Sequence, residues 1–275
     1  MRDTILSTIL GATEGSVRRR VAVLGLGEAG SIYAGDLARA GAAVTAADPA
    51  VTAVPAGVTP AAGAGDAVRG ADLVLSLVGG AAAGAVLEEA LPAMAPGALF
   101  ADMNTAGPGE KRRLAARADR HGILFVDVAI MAPVPRARIL TPLVLSGAGA
   151  DELLAVLAGW GIPGTSVGGD AGRAAELKLL RSVFMKGLAA TVLESVAAAR
   201  AVEAGDWIVD QIAAELGPSG HAVVARLLEG SRMHAVRREE EMCQARLFLE
   251  SLGAAHPITD GTIEWLHSLA AGSPD

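Results

Sequence analysis

Aromatic side chains are scarce, at 3% of the 275 residues. Any core must therefore be aliphatic, built from Ala, Val and Leu, and the 52% hydrophobic content is enough to form one. There is a single cysteine, Cys243. That excludes an internal disulfide framework and fits a reducing, cytoplasmic setting. No Cys/His cluster has metal-ligand spacing, so no metal site is expected. No uncharged apolar stretch approaches the roughly 20 residues of a bilayer span, so no membrane association is expected. A G-x-S-x-G elbow is missing, which leaves hydrolase chemistry without support. Positive charge is also short: the net charge is −7, which argues against a nucleic-acid or anionic-membrane surface. The one basic run, Arg18-Arg19-Arg20, reads as a solvated strand entry. Lysine is rarest of all among the charged types. Of 23 basic residues three are lysine: Lys111, Lys178 and Lys186. Arginine effectively never deprotonates, so such a chain is expected to keep lysine where a proton comes and goes.

What is present alternates. Short apolar runs at 21–27, 43–48, 72–78, 98–102, 123–130 and 140–146 read as strands. Helices are expected at 28–40, 82–94, 108–121 and 150–160. This alternation predicts an α/β fold, a doubly wound parallel sheet of the Rossmann kind with helices on both faces. A loop rich in Ala, Pro and Gly is expected at 50–65. From 171 onward no strand is convincing. One long helix is expected at 172–203, then helices near 206–216, 219–229, 231–252 and 259–271, punctuated by Gly217-Pro218, Gly253 and His256-Pro257. The expected organisation is an N-terminal extension at 1–16, a nucleotide-binding domain at 17–168 and an all-helical domain at 169–275, joined by the long interdomain helix.

Gly25-Leu26-Gly27-Glu28-Ala29-Gly30 is a G-x-G-x-x-G that follows a predicted strand and opens a predicted helix. Gly25 permits a tight turn, Gly27 lets backbone amides approach a pyrophosphate, and Gly30 lets helix and strand pack closely. The positive end of the helix dipole then faces the phosphates. Asp48 ends the second strand about twenty residues on, where a carboxylate accepts hydrogen bonds from the adenosine ribose. A carboxylate there repels a 2′-phosphate, and no Arg or Lys lies between Arg39 and Arg69, so NAD is favoured over NADP. Leu77, Val78, Asn104 and Thr105 end further strands and are expected to line the same crevice; ordinary turn capping accounts for Asn104 and Thr105 equally well.

On a helical wheel Lys178, Arg181, Ser182, Met185 and Lys186 share one side of the long helix, and Leu179, Leu180, Val183, Phe184 and Leu188 the other. A stripe of this kind is usually solvated surface. Its position directly after the nucleotide domain, where a cleft is expected, makes Lys178 and Ser182 candidates for chemistry.

The order of G-x-G-x-x-G, Asp102-Met103-Asn104-Thr105, Asp127-x-Ala-x-Met131-Ala132-Pro133-Val134 and Gly172-x-Ala174-x-x-x-Lys178 resembles the β-hydroxyacid dehydrogenases, the family of the 3-hydroxyisobutyrate and 6-phosphogluconate dehydrogenases. The likeness covers about 21–200. Residues 177–188 and 234–242 resemble an uncharacterised C-terminal module carried by some phosphogluconate dehydrogenase-like proteins. The resemblance implies that Lys178 is the catalytic acid/base. Ser182 stands where the family usually has Asn. Met131, Ala132 and Pro133 fall where the family binds a substrate carboxylate through backbone amides, but Pro135 has no N–H to give. Arg136, Arg138, His234 or Arg238 are the replacements considered, with Lys186 beside the substrate as well.

These features lead to an expected reversible alcohol–carbonyl oxidoreduction on a small-molecule hydroxy acid or alcohol. Hydride passes to or from the nicotinamide, and Lys178 exchanges the hydroxyl proton. A base working near neutrality requires a lysine amine pulled below its ordinary value by burial or nearby cations. Imine reduction on the same scaffold, and a dinucleotide binder without catalysis, are the alternatives. The Ala-rich helical domain is expected to form a homodimer. The Glu239-Glu240-Glu241 triplet reads as a solvated, ion-paired helix face.

Overall fold

Strand β1 (Arg20–Leu24) is apolar at successive positions because both of its faces are covered. Val21 and Val23 enter one core and Ala22 and Leu24 another. A computed structural model describes residues 19–51 and 53–272 of the chain. The extension expected at 1–16 lies outside the described residues. The chain divides into two units between Glu176 and Leu177.

In the first unit β1 is followed by α1 (Glu28–Arg39), β2 (Ala43–Ala47), β3 (Val58–Pro60), α2 (Ala64–Ala67) and β4 (Leu73–Ser76). Then come α3 (Gly80–Ala90), β5 (Leu99–Asp102), α4 (Pro108–Asp119) and β6 (Leu124–Ile130). The unit closes with α5 (Val134–Ala137), β7 (Leu143–Ser146), α6 (Ala150–Ala158) and β8 (Gly164–Ser166). The eight strands form one sheet in the order β3-β2-β1-β4-β5-β6-β7-β8. Strands β1 to β6 are parallel, as the alternation predicts. The departure is β7, which runs antiparallel to β6. Residues 131–142 make no full crossover helix, only the four-residue α5 and a 3₁₀ turn, so the chain returns beside β6 in the opposite direction. Helices α1 and α6 cover one face of the sheet and α3 and α4 the other. Strands β3 and β8 were not expected; each has three residues and little apolar signal.

The first unit is braced by a buried lysine. Lys111 of α4 is 1% exposed. Its Nζ lies 3.1 Å from Asp102 Oδ2 and 3.2 Å from Asp127 Oδ1 and donates to the Asp102 carbonyl at 2.9 Å. Asp102 and Asp127 sit opposite each other on β5 and β6. Isolated charges are costly in such an interior, and here each has a partner.

Helix α7 (Arg173–Arg200) is one continuous helix that starts in the first unit and runs through the second. Its best 18-residue window has a mean hydropathy of 1.3, long and apolar enough to cross a membrane by length and composition. Lys186 and Glu194 interrupt that helix in its later part, and Lys178 and Arg181 charge its earlier part. Within the second unit α8 (Gly205–Glu215) and α9 (Gly220–Met233) pack on its later half around Val192, Val196, Val224 and Leu227. Helices α10 (Ala235–Ser251) and α11 (Pro257–Ala270) pack on Leu179 and Val183 around Met242, Ala245 and Leu266.

Lys111→Met should lower the unfolding free energy by about 3–5 kcal/mol, because two buried carboxylates then face each other unpaired. Urea unfolding reads this as a lower midpoint at unchanged slope. A loss below about 1 kcal/mol would show that the two carboxylates do not depend on this ammonium.

Candidate functional site

The strand order reverses between β1 and β4, and the loops that leave these two strands lie against each other there. Gly25 adopts φ +90°, and a Cβ on it would sit 2.5 Å from the Leu77 carbonyl oxygen and 3.0 Å from Val78 Cγ1. A Cβ on Gly30 would lie 1.9 Å from the Gly25 oxygen. These two glycines serve the chain's own packing. Gly27 is different: a Cβ there meets nothing within 4 Å. The space above Gly27 is open, and α1 begins there with no side-chain cap. The first intrahelical bond is Ser31 N–H to Gly27 O, at 3.0 Å, so the amides of Glu28, Ala29 and Gly30 have no intrahelical acceptor. Amides without an intrahelical acceptor at the positive end of a helix dipole, with open space beside Gly27, fit a pyrophosphate.

Asp48 follows β2. Its Oδ2 accepts from Leu26 N at 2.7 Å and its Oδ1 from Ala50 N at 2.8 Å. It thus fixes the glycine loop and begins a turn. A carboxylate offers about four acceptor positions, so two remain for ribose hydroxyls.

Asn104 is 6% exposed and fully engaged in the protein. Its Nδ2 donates to Ser76 Oγ (3.0 Å) and Asp102 Oδ1 (2.6 Å), and its Oδ1 accepts from Gly79 N at 2.8 Å. Both amide hydrogens are spent, so Asn104 shapes the crevice loop by holding Gly79. Thr105 is exposed beside it. Met131 is half-buried and Ala132 and Pro133 are exposed, at the same carboxyl edge of the sheet after β6. Among the carboxylate binders considered, Arg138 is taken: its Nε lies 2.9 Å from Asp36 Oδ2, and its Nη2 also pairs with that carboxylate.

The start of α7 is pinned from β6 and β7. Asp127 Oδ2 accepts from Gly172 N (3.1 Å) and Ala175 N (2.9 Å), and Ser146 Oγ accepts from Ala174 N at 3.0 Å. Gly172 has φ +103°, and a Cβ there would meet the Pro108 carbonyl at 2.8 Å. This explains glycine at the head of the Gly172-x-Ala174-x-x-x-Lys178 segment. Asp127 therefore touches both Lys111 and the helix end, a role that sequence reading missed. The available signal was an acid inside the apolar run Leu-Phe-Val-Asp-Val-Ala-Ile, which demands a buried partner.

In the second unit Lys178, Ser182 and Lys186 follow one another at four-residue intervals along α7. Ser182 is 5% exposed, whereas Leu180 and Phe184 are exposed at 43% and 67%. The burial expected from the wheel is thus reversed at these positions. Lys186 Nζ donates to Ser182 Oγ at 2.9 Å and lies 2.7 Å from Glu241 Oε2. The solvated acidic face is therefore corrected at Glu241, whose side chain is only 19% exposed. Burial raises the pKa of that carboxyl. The charge and hydrogen bond of Lys186, with the charges of Lys178 and Arg237, outweigh burial and hold it below its usual range. At the junction of α9 and α10 lies His234, and Arg238 reaches back to Ser231 Oγ at 2.7 Å. Among the described residues no group of acids, His and Cys has metal-site geometry.

Gly27→Ala is expected to leave stability within about 0.5 kcal/mol of wild type, since its Cβ has room. It is expected to weaken NAD at least about tenfold in titration calorimetry, by filling the pyrophosphate cradle. Gly30→Ala should instead fail to fold. Undiminished NAD affinity in Gly27→Ala would place the cofactor elsewhere.

Residues 20–155 match the NAD binding domain of 6-phosphogluconate dehydrogenase, and residues 199–269 match a domain of unknown function (DUF1932). A conserved hypothetical protein from Sinorhizobium meliloti 1021 is similar at 31% identity and a TM-score of 0.76, over 94% of this chain and 91% of that one. Two curated relatives align in part. An uncharacterised 28.5 kDa protein of Methanothermus fervidus is 29% identical over 56% of this chain and 59% of its own. An NAD-dependent L-serine dehydrogenase of Pseudomonas aeruginosa is 30% identical over 49% of this chain and 48% of its own. The chain thus spans about half the length of the curated relatives it matches. The 3-hydroxyisobutyrate dehydrogenase of Mycobacterium tuberculosis shares the fold, with a TM-score of 0.78 at 22% identity over 93% of this chain and 94% of that one. The chain thus carries an NAD-binding domain of the 6-phosphogluconate dehydrogenase family at 20–155, followed by DUF1932 at 199–269.

Proposed function

We propose that this protein is an NAD-dependent dehydrogenase that interconverts a small 3-hydroxy acid and its carbonyl form, with Lys178 as the proton-transferring group. The observation that carries this reading is the pinned start of α7. Three amides at Gly172, Ala174 and Ala175 are held by Asp127 and Ser146, and Lys178 follows one turn later on the same helix. When bound, the dinucleotide supplies a hydride acceptor for oxidation and a hydride donor for reduction. The Lys178 amine takes the hydroxyl proton during oxidation and returns it during reduction. Its charged form stabilises negative charge that develops on the same oxygen. Asp48 supports NAD over NADP, because its carboxylate repels a 2′-phosphate. The L-serine dehydrogenase among the relatives supports a substrate with its hydroxyl one carbon beyond the α-carbon. Met131, Ala132 and Pro133, at the carboxyl edge of the sheet, are the residues proposed for substrate. A homodimer through the second unit is supported by Phe184, Trp207, Met233 and Ile258, all more than half exposed.

Two measurements test this. NAD is expected to be reduced in the presence of L-serine, 3-hydroxyisobutyrate or 3-hydroxypropionate, with NADP at least about tenfold poorer. Lys178→Ala should lose at least about a hundredfold in kcat while NAD affinity survives. Turnover of a cyclic imine with NADH, and of no hydroxy acid, would move the assignment to imine reduction. NAD binding with no turnover across the panel would leave a dinucleotide binder. In sedimentation, wild type should run at twice the chain mass and Phe184→Glu as a monomer. A monomeric wild type would remove the dimer.

A further inference from the structure

The domain of unknown function contributes one acidic side chain to the lysine stripe of α7. Glu241 sits on α10, inside the segment 199–269 that matches DUF1932, and Lys178 and Lys186 sit on α7, outside that segment. All belong to the second unit. The side chains of Lys186 and Glu241 are 15% and 19% exposed, so their 2.7 Å contact is shielded from solvent and salt. Lys186 and Lys178 act on Glu241 from α7, and Arg237 acts from its own helix, 4.0 Å away. From α11, His267 takes Glu239 at 3.0 Å, and His256 and Asp260 pair with each other at 2.9 Å. Arg238 turns to Ser231.

We propose that Glu241 is a positioning residue for the lysine pair: it holds the Lys186 ammonium against Ser182 and counterbalances the positive charge beside Lys178. The part of DUF1932 in the chemistry is thus to supply this carboxylate. An ammonium two turns away on the same stripe disfavours the charged form of Lys178, and a carboxylate restores it. Lys178 is thereby kept as a proton donor, the form that carbonyl reduction requires. This inference rests on Lys178 as the proton-transferring group, and its test is separate from turnover.

The chain has only three lysines, so ε-carbon-labelled lysine gives three side-chain signals in the NMR spectrum of the intact protein. Lys111, buried between Asp102 and Asp127, reports whether the fold is intact. Glu241→Gln should lower the titration midpoint of Lys178 by about one pH unit, and Lys186→Met should raise it by a similar amount. Glu241→Asp should restore part of the loss. A merely structural Glu241 would not produce shifts of opposite sign. If the Lys178 midpoint moves by less than about 0.3 unit in Glu241→Gln, the proposal is overturned whatever Lys186→Met does. If Glu241→Gln does not fold, Glu241→Asp decides: withdrawing the carboxylate by one methylene should lower the Lys178 midpoint in the same direction, and an unmoved midpoint overturns the proposal. Opposite shifts together with a fully active Lys178→Ala would keep the coupling and discard only the catalytic assignment. An inactive Lys178→Ala with no shifts would discard only Glu241.

Discussion

The ammonium of Lys111 is the constraint on which the rest of the first unit turns. It lies between two aspartates from neighbouring strands, and each aspartate does a second job. Asp102 orients Asn104, which holds Gly79 in the crevice loop. Asp127 receives the first amides of α7. A single buried cation therefore ties the loop after β4 to the helix that carries Lys178. Such an arrangement is costly in desolvation and demands good geometry. It specifies where the sheet ends and where the long helix begins, which apolar packing alone leaves free.

The nucleotide loop follows another logic. Gly25 and Gly30 are required because backbone occupies the place of any side chain, whereas at Gly27 nothing of the protein does. The same motif thus contains two glycines that build the turn and one that leaves room. Asp48 joins these functions, since it clamps Leu26 and keeps acceptor capacity in reserve.

Much of this was legible in the sequence, and for identifiable reasons. Apolar runs closed by glycine mark buried parallel strands, so β1, β2, β4, β5 and β6 fall where the alternation puts them. The glycine loop is readable because its spacing reflects a backbone requirement. Reversal of β7 was hidden, because an apolar strand looks the same in either direction. The ion pairs were hidden as well, since Arg138 with Asp36 and Lys186 with Glu241 join residues far apart in the chain. Lysine scarcity pointed at Lys178 and Lys186, yet it did not reveal that Lys111 is a fixed internal charge. The wheel also misjudged α7: Leu180 and Phe184 face outward, while Ser182 is buried next to Lys186.

The sheet ends, on both sides, in strands of three residues. One of these, β3, closes on Pro60, which has no amide hydrogen to offer a newcomer. Rims this short give a foreign strand little template to extend. A chain with so aliphatic a centre is thereby protected from stacking its sheets edge to edge, and the protection comes from the two elements with the weakest sequence signal.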